Sequence, residues 1–381
     1  MEHFDAIFIG GGPTAPTIFN HYANKMGPTD KYLLITERPV NEGAITKGAK
    51  VVNQIVPKLP LISSSKIDDY REILQLVQRA EISLEELYEA TSCYIGDSQI
   101  GMRLCRNKHE KEALNSIPKF YNKTDSNLLD TTAKFLEDTF GQEIDIDNLF
   151  AYRERIWNVN VYMNIITAKI NPNWIRNVEK VQYSSVSSQG VCLTLINLDS
   201  SVKQVSAGKV FVCNGIGNID FETNVKAKES LLTDMLNFDI LKYYKCIYKP
   251  KILIPPALSS IFLPEHGICV TNEQNASHSL LYNTNATFCP VSTFQTESLN
   301  SDLIAIKEKL IETYPNLPQT YTREFMCTMA VDPLAFRDDL TRHFKFVISP
   351  SVVKNVHYVN LPYFTVVGTA LDYLPSNLND F

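Results

Sequence analysis

The sequence predicts an α/β fold: a parallel-sheet domain that carries a three-stranded β-meander, with a second, antiparallel-sheet domain interleaved in the chain. Three observations predict it. An apolar strand-like run, Phe4–Ile9, leads into Gly10-Gly11-Gly12 and then a helix-compatible stretch. Three short strand-like runs separated by Ser-Gln-Gly and Asp-Ser-Ser turns fill residues 180–205. Residues 245–293 are strand-rich and punctuated by proline, and no repeat or low-complexity linker separates the parts.

Taken in order, Phe4–Ile9 is followed by a helix to about Met26, a turn at Gly27-Pro28-Thr29-Asp30 and a second apolar strand, Tyr32–Thr36, ending at Glu37. That is the length of a parallel βαβ start. Residues 40–62, with Gly43, Gly48 and two prolines, read as irregular. Residues 66–89 read as a helix because Ile67, Tyr70, Ile73, Leu74 and Val77 recur at three- and four-residue steps. Leu128–Phe140 and Asn148–Ile170 share that cadence. Beyond Val178 the runs Lys180–Val186, Val191–Leu198 and Val202–Val205 form the meander, and Lys209–Gly215 reads as a buried strand ending on glycine. A helix over 224–242, a helix at Leu303–Thr313 and a last strand at Tyr363–Thr369 complete the reading. The expected division puts 1–60, 175–235 and 345–381 in the parallel-sheet domain, and 61–174 with 236–344 in the other.

Composition narrows the function. With 381 residues, 44% hydrophobic and 20% charged, the chain can bury a large core and is neither disordered nor a coiled coil. No apolar run reaches the roughly 18 residues that cross a bilayer, so no membrane is expected. Thirty-six Lys+Arg against 42 Asp+Glu leave −6, and no long basic cluster offers a surface to nucleic acid. The eight cysteines are scattered without a CxxC pair, so neither a zinc ribbon nor another metal site is expected. With no basic leader before Phe4, the cytoplasm is the expected compartment.

Gly10-x-Gly12-x-x-Ala15 fits the dinucleotide fingerprint, with a strand before it and a helix after it. The first glycine permits the tight turn, and the second lets backbone approach a pyrophosphate. The small third residue lets helix and strand pack, and the helix N-terminus supplies N–H groups and positive dipole. Glu37 lies 25 residues after Gly12, where a carboxylate can accept from a ribose diol; a carboxylate there disfavours NADP.

The segment Asp5–Glu37 resembles the opening of FAD-dependent oxidoreductases of the glutathione-reductase-like fold. Val178–Gly215 is similar to that superfamily's second block, which returns the chain to an FAD/NAD(P)-binding Rossmann-like domain. Val210–Asn218 resembles in particular the glucose–methanol–choline oxidoreductases, and Asn360–Thr369 is similar to that family's last FAD-domain strand. Gly43–Asn53 faintly resembles the pyranose oxidase branch. The resemblance implies FAD as cofactor, a small-molecule substrate oxidised by hydride transfer to flavin N5, and a homo-oligomer or protein partner as further possibilities. It departs from the family at Glu324–Pro333, which has the cadence of the catalytic-histidine motif without the histidine, and at Asp380-Phe381, where the family continues into a helix. These departures keep two alternatives open: a non-catalytic FAD-binding partner protein, and a flavin-dependent monooxygenase, although no second glycine cluster for NAD(P)H occurs.

Fingerprint and resemblance together nominate Gly10, Gly12, Pro13, Thr14, Ala15, Glu37, Arg38, Val181, Gly215, Gly217, Gly368 and Thr369 for the cofactor. For catalysis the resemblance nominates Asn377 and Asn379, with Pro375–Asn379 expected to wall the active site, and of the seven histidines His343 and His357 lie nearest the C-terminal blocks, His343 being the one nominated. Cys213 reads as a small buried hydrophobe rather than a redox group.

Overall fold

A computed structural model describes residues 1–25, 27, 29–37, 51–52, 67–91, 99–116, 125–141, 143–154, 157–215, 217–230, 239–248, 254–265, 268–272, 279–290, 298–317, 321–331, 347–360, 374–375 and 378. In chain order the first elements are β1 (Glu2–Ile9), α1 (Thr14–Ala23), β2 (Tyr32–Thr36), β3 (Val51–Val52), α2 (Ile67–Ala90), β4 (Gln99–Leu104), α3 (Lys108–Asn115), α4 (Ser126–Phe140), β5 (Leu149–Glu154), β6 (Trp157–Asn158) and α5 (Val159–Ala168). Then follow β7 (Ile175–Asn177), β8 (Lys180–Ser187), β9 (Gly190–Ile196), β10 (Val202–Val212), α6 (Gly217–Glu229), β11 (Asp239–Tyr248), β12 (Leu258–Leu263), β13 (Ile268–Asn272), β14 (Ser279–Pro290), α7 (Ser298–Thr313), β15 (Tyr321–Val331), β16 (Val347–Pro350) and β17 (Val356–Asn360).

The first sheet has the order β16-β17-β10-β1-β2-β7. Along this path every neighbouring pair from β17 to β7 is parallel, and β16 runs antiparallel against β17; β8 and β9 join the same sheet beside β10. Parallel strands covered on both faces read as continuous apolar runs, which is why Ala6–Ile9 at the end of β1, Tyr32–Ile35 of β2 and Val210–Val212 at the end of β10 carry no charged residue. Phe8, Leu34, Phe211 and Cys213 point to one face, where α1, α2 and α5 pack. Ile7, Ile9, Leu33, Ile35, Val210 and Val212 point to the other, under the meander and α6. Phe8 and Phe211 stack at 5.0 Å across neighbouring strands, and each fully buried ring contributes about 1.5–3 kcal/mol.

The meander forms by antiparallel pairing of β8 with β9 and β9 with β10. The runs 202–205 and 209–212, expected as separate strands, are one continuous β10. Its first half pairs with β9 while its second half pairs with β17, and β1 lies along its other edge. The second sheet has the order β15-β11-β14-β13-β12-β4-β5 and is antiparallel except where β12 meets β4. Its core, with Met102, Leu136, Ile261 and Val270, is closed by α4 and α7.

Two helix expectations are corrected. Within 148–170, residues 149–154 are strand, because β5 pairs with β4 from Gln99↔Glu154 to Leu104↔Leu149; only 159–168 is helix. Long-range pairing and the β-favouring Phe150 and Tyr152 override the local cadence there. Within 224–242, α6 ends at Glu229 beside Ser230, whose φ of 56° is left-handed, and Asp239–Lys242 belong to β11, held by ladders on both sides. The described strand that adjoins β10 near the C-terminus is Val356–Asn360; the expected last strand, Tyr363–Thr369, lies outside the described residues.

Candidate functional site

The C-terminal ends of β1, β2 and β10 are stitched together by backbone hydrogen bonds. The Gly10 N–H donates to the Ile35 carbonyl at 2.8 Å, and the Cys213 N–H donates to the Ile9 carbonyl at 2.7 Å. Gly10 has φ of 150°, and a Cβ there would lie 2.7 Å from the Cys213 carbonyl oxygen and 3.2 Å from the Ala15 Cβ. The turn therefore needs no side chain at its first position, and a small one at Ala15, which is fully buried.

Helix α1 begins at Thr14 with Pro13 as its N-cap, and no side chain caps it. Pro13 and Pro16 carry no N–H, so the first-turn donors of this helix are the amides of Thr14 and Ala15. Gly11 and Gly12, in the turn before it, are partly exposed. An uncapped N-terminus with a half-open glycine turn in front suits an anion by both its N–H groups and its dipole.

Glu37 stands at the end of β2, partly buried. Its Oε1 accepts from the Val181 N–H at 2.8 Å, and its Oε2 accepts from Asn214 Nδ2 at 3.0 Å. One carboxylate thus joins β2, the meander and the turn after β10. A carboxylate has about four acceptor directions, so one on each oxygen remains for an external hydroxyl. Gly215 follows with φ of 60° and nothing near its missing Cβ. Gly217 opens α6, and a Cβ there would lie 3.1 Å from the Asn214 Cβ. The Asn214 backbone N–H donates to Asn218 Oδ1 at 2.9 Å.

The fold therefore brings Gly10, Gly12, Pro13, Thr14, Ala15, Glu37, Val181, Gly215 and Gly217 to one end of the parallel sheet. Arg38, Gly368, Thr369, His343, Asn377 and Asn379 lie outside the described residues. Sequence reasoning missed Asn214; the one signal was an amide side chain directly before the strand-ending Gly215. The described tail residues pack away from this turn: Leu374 and Leu378 are buried in the core shared with α1 and Val359. Tyr22 OH, in the last turn of α1, donates to the Pro375 carbonyl at 2.9 Å, and Lys209 Nζ donates to the Leu378 carbonyl. Tyr22 is about 12 Å along α1 from Thr14, so Pro375 and Leu378 serve as packing anchors on the sheet face.

His357, on β17, stacks on Phe211 at 5.4 Å, and burial, with Lys209 nearby, lowers its pKa to about 4. It is neutral near pH 7. Cys213 is buried, and desolvation pushes its thiol pKa up, which suits a packing group and not a nucleophile. Among the described residues no group of histidine, cysteine and carboxylate side chains is arranged to hold a metal, and no helix is long and apolar enough to cross a membrane.

No protein-family model matches the chain, and no curated protein matches its sequence. Solved structures do match its fold over almost its whole length. The chain is similar to L-proline dehydrogenase from P. horikoshii, with a TM-score of 0.60 and 12% identity over 99% of this chain and 93% of that one. It is similar to glycine oxidase from Geobacillus kaustophilus, with a TM-score of 0.57 and 14% identity over 97% and 92% of the two chains. L-alpha-glycerophosphate oxidase from Mycoplasma pneumoniae, solved with FAD bound, matches with a TM-score of 0.58 and 12% identity over 98% and 94%. The α/β architecture is thus shared with these three enzymes along nearly the whole of each chain.

Proposed function

We propose that the chain is an FAD-dependent oxidoreductase that oxidises a small amine or amino acid. The observation that carries the reading is the uncapped α1 N-terminus behind Gly10–Gly12, set beside Glu37, in a fold shared with FAD enzymes along more than nine-tenths of both chains. Bound FAD would supply the hydride acceptor, flavin N5, with oxygen or another acceptor taking the electrons onward.

This chain's own residues do the holding. The Thr14 and Ala15 amides and the α1 dipole take the pyrophosphate, and the bare backbone of Gly12 lets it approach. Glu37 accepts from the ribose hydroxyls through the oxygen directions that Val181 and Asn214 leave open. Gly10 and Ala15 keep β1 and α1 close enough for the turn to present these groups. In this reading the segments 1–60, 175–235 and 345–381 hold the cofactor, and the seven-stranded sheet supplies the substrate side. The substrate class follows the amine and amino-acid enzymes among the matching structures; none of those reported above is named as a glucose–methanol–choline enzyme.

The test is the absorbance of the purified protein, as isolated and after addition of FAD, followed by anaerobic titration with L-proline, glycine and glycerol 3-phosphate. Flavin bands that bleach with an amine support the proposal. Bleaching only by glycerol 3-phosphate moves the substrate to alcohols, and a protein that takes up no FAD overturns it.

A further inference from the structure

We infer that Asn214 is the positioning residue for the ribose-binding carboxylate, acting on the cofactor only through Glu37. This rests on the reading of Glu37 given under Proposed function.

The geometry is reciprocal. Glu37 has several side-chain torsions to settle, and as a flexible carboxylate at a strand end it could point into solvent. Two donors from different segments hold it: the Val181 backbone N–H from the meander, and the Asn214 amide from the turn after β10. The first is backbone and cannot be lost by substitution. The second is a side chain, and the structure is arranged to hold it in turn. The Asn214 backbone N–H is tied to Asn218 Oδ1, its carbonyl accepts from the Gly217 N–H at 3.1 Å, and Gly217 leaves the room beside its Cβ that any other residue would crowd. Gly215 supplies the left-handed turn that sends the chain from β10 into α6 behind it. Asn214, Gly215, Gly217 and Asn218 thus form one local device whose outward product is a single hydrogen bond to Glu37 Oε2. Gly215 and Gly217, nominated from sequence for direct contact with the cofactor, act in this account by placing Asn214.

The test is a double-mutant cycle on FAD affinity, read by fluorescence titration of apoprotein, with thermal melting of each variant as control. Asn214→Ala should weaken FAD binding roughly tenfold in the parent, as expected for losing a hydrogen bond that fixes a charged group. In a Glu37→Ala background the same substitution should change affinity less than about twofold, because there is nothing left to position. Equal losses in both backgrounds, or no loss in the parent, overturn the inference. A parent protein that binds no FAD overturns the functional reading itself, and the inference falls with it; the two failures are distinct on the first titration.

Asn214→Asp keeps the side-chain shape and is the second variant, to be read where the alanine protein does not fold. It sets a second carboxyl about 3 Å from Glu37, so the pair holds a proton to higher pH than either alone. Below that point the Asp hydroxyl replaces the amide donor, and above it the two charges repel. FAD affinity of this variant should therefore approach the parent's near pH 5.5 and fall well below it at pH 8, while the parent changes little. The titratable side chains on the adjoining segments, Glu179 and Lys180 before and in β8 and Asp220 and Glu222 in α6, are common to both proteins and cancel in the comparison. A variant whose affinity ratio to the parent is flat with pH removes Asn214 from contact with Glu37.

Discussion

Gly10 and Gly215 both carry positive φ at strand ends, yet for different reasons, and the same substitution separates them. An alanine at Gly10 brings a Cβ to 2.7 Å from the Cys213 carbonyl, so β1 and β10 must part; the expected loss is about 3 kcal/mol or more. At Gly215 there is open space, and alanine costs only the left-handed conformation, about 1–2 kcal/mol. Urea unfolding of the two variants should rank them in that order, and equal midpoints would dispose of the close-approach argument. His357 gives a prediction in pH. Its folded pKa, about 4, lies below the unfolded value near 6.5, so the unfolded chain binds the extra proton in that window. The stability it contributes is present above pH 6.5 and is lost as pH falls toward 4, by about 2 kcal/mol after allowing for partial exposure. His357→Phe, which keeps the stack on Phe211, should flatten the decline between pH 6.5 and 4; an unchanged profile assigns that decline to other groups. Residues of the fingerprint were legible in the sequence because their logic is local. Asn214 was not, because its partner Glu37 lies 177 positions away.

Among the elements, β4 and α3 show what local reading does not reach. Neither was anticipated, since β4 has only six residues and takes its conformation from β12 and β5. A buried ion pair ties them. Arg103, fully buried on β4, donates through Nη2 to Glu110 Oε1 at 2.5 Å and lies over the Phe262 ring at 5.1 Å. Glu110 also accepts from the Arg106 N–H at 2.7 Å, while Asn107 caps α3 by accepting from the Glu110 N–H at 3.0 Å. Removing one partner strands the other charge. Glu110→Leu should cost about 3–5 kcal/mol, and Arg103→Met combined with Glu110→Leu should recover most of it. Equilibrium unfolding of the single and double variants checks this; a double variant as unstable as the single would mean that packing around α3, not charge, sets the cost. The long helices α4 and α7 were readable because each closes the second core with an amphipathic face. The expected helix over 148–170 failed at β5 because β4, its pairing partner, could not be seen from that window.

At the scale of the molecule, the strands of each sheet come from separated parts of the chain, and the tail closes the first core. Leu374 and Leu378 are buried there, and Tyr22 and Lys209 bond to the carbonyls of Pro375 and Leu378. Truncation after Thr369 should therefore cost stability, about 3–5 kcal/mol for two buried leucines, in the apoprotein as much as with cofactor. Thermal melts of the truncated chain with and without FAD check this, and an undiminished melting point without FAD would contradict the packing role of the tail. The order of the blocks, strand–glycine–helix first and meander later, was readable because each is a contiguous motif. A parallel and an antiparallel sheet were both expected from the sequence; which strand neighbours which in each is a property of pairing and had to be seen. The register of β1 has a consequence for biosynthesis. Its neighbour β10 begins at Val202, 166 residues after β2 ends at Thr36. At about 5–20 residues per second, the ribosome needs roughly ten to thirty seconds to make that interval. Throughout it the apolar edge of β1 has no strand beside it, so the nascent chain has a window of exposure that chaperone binding during translation would fill.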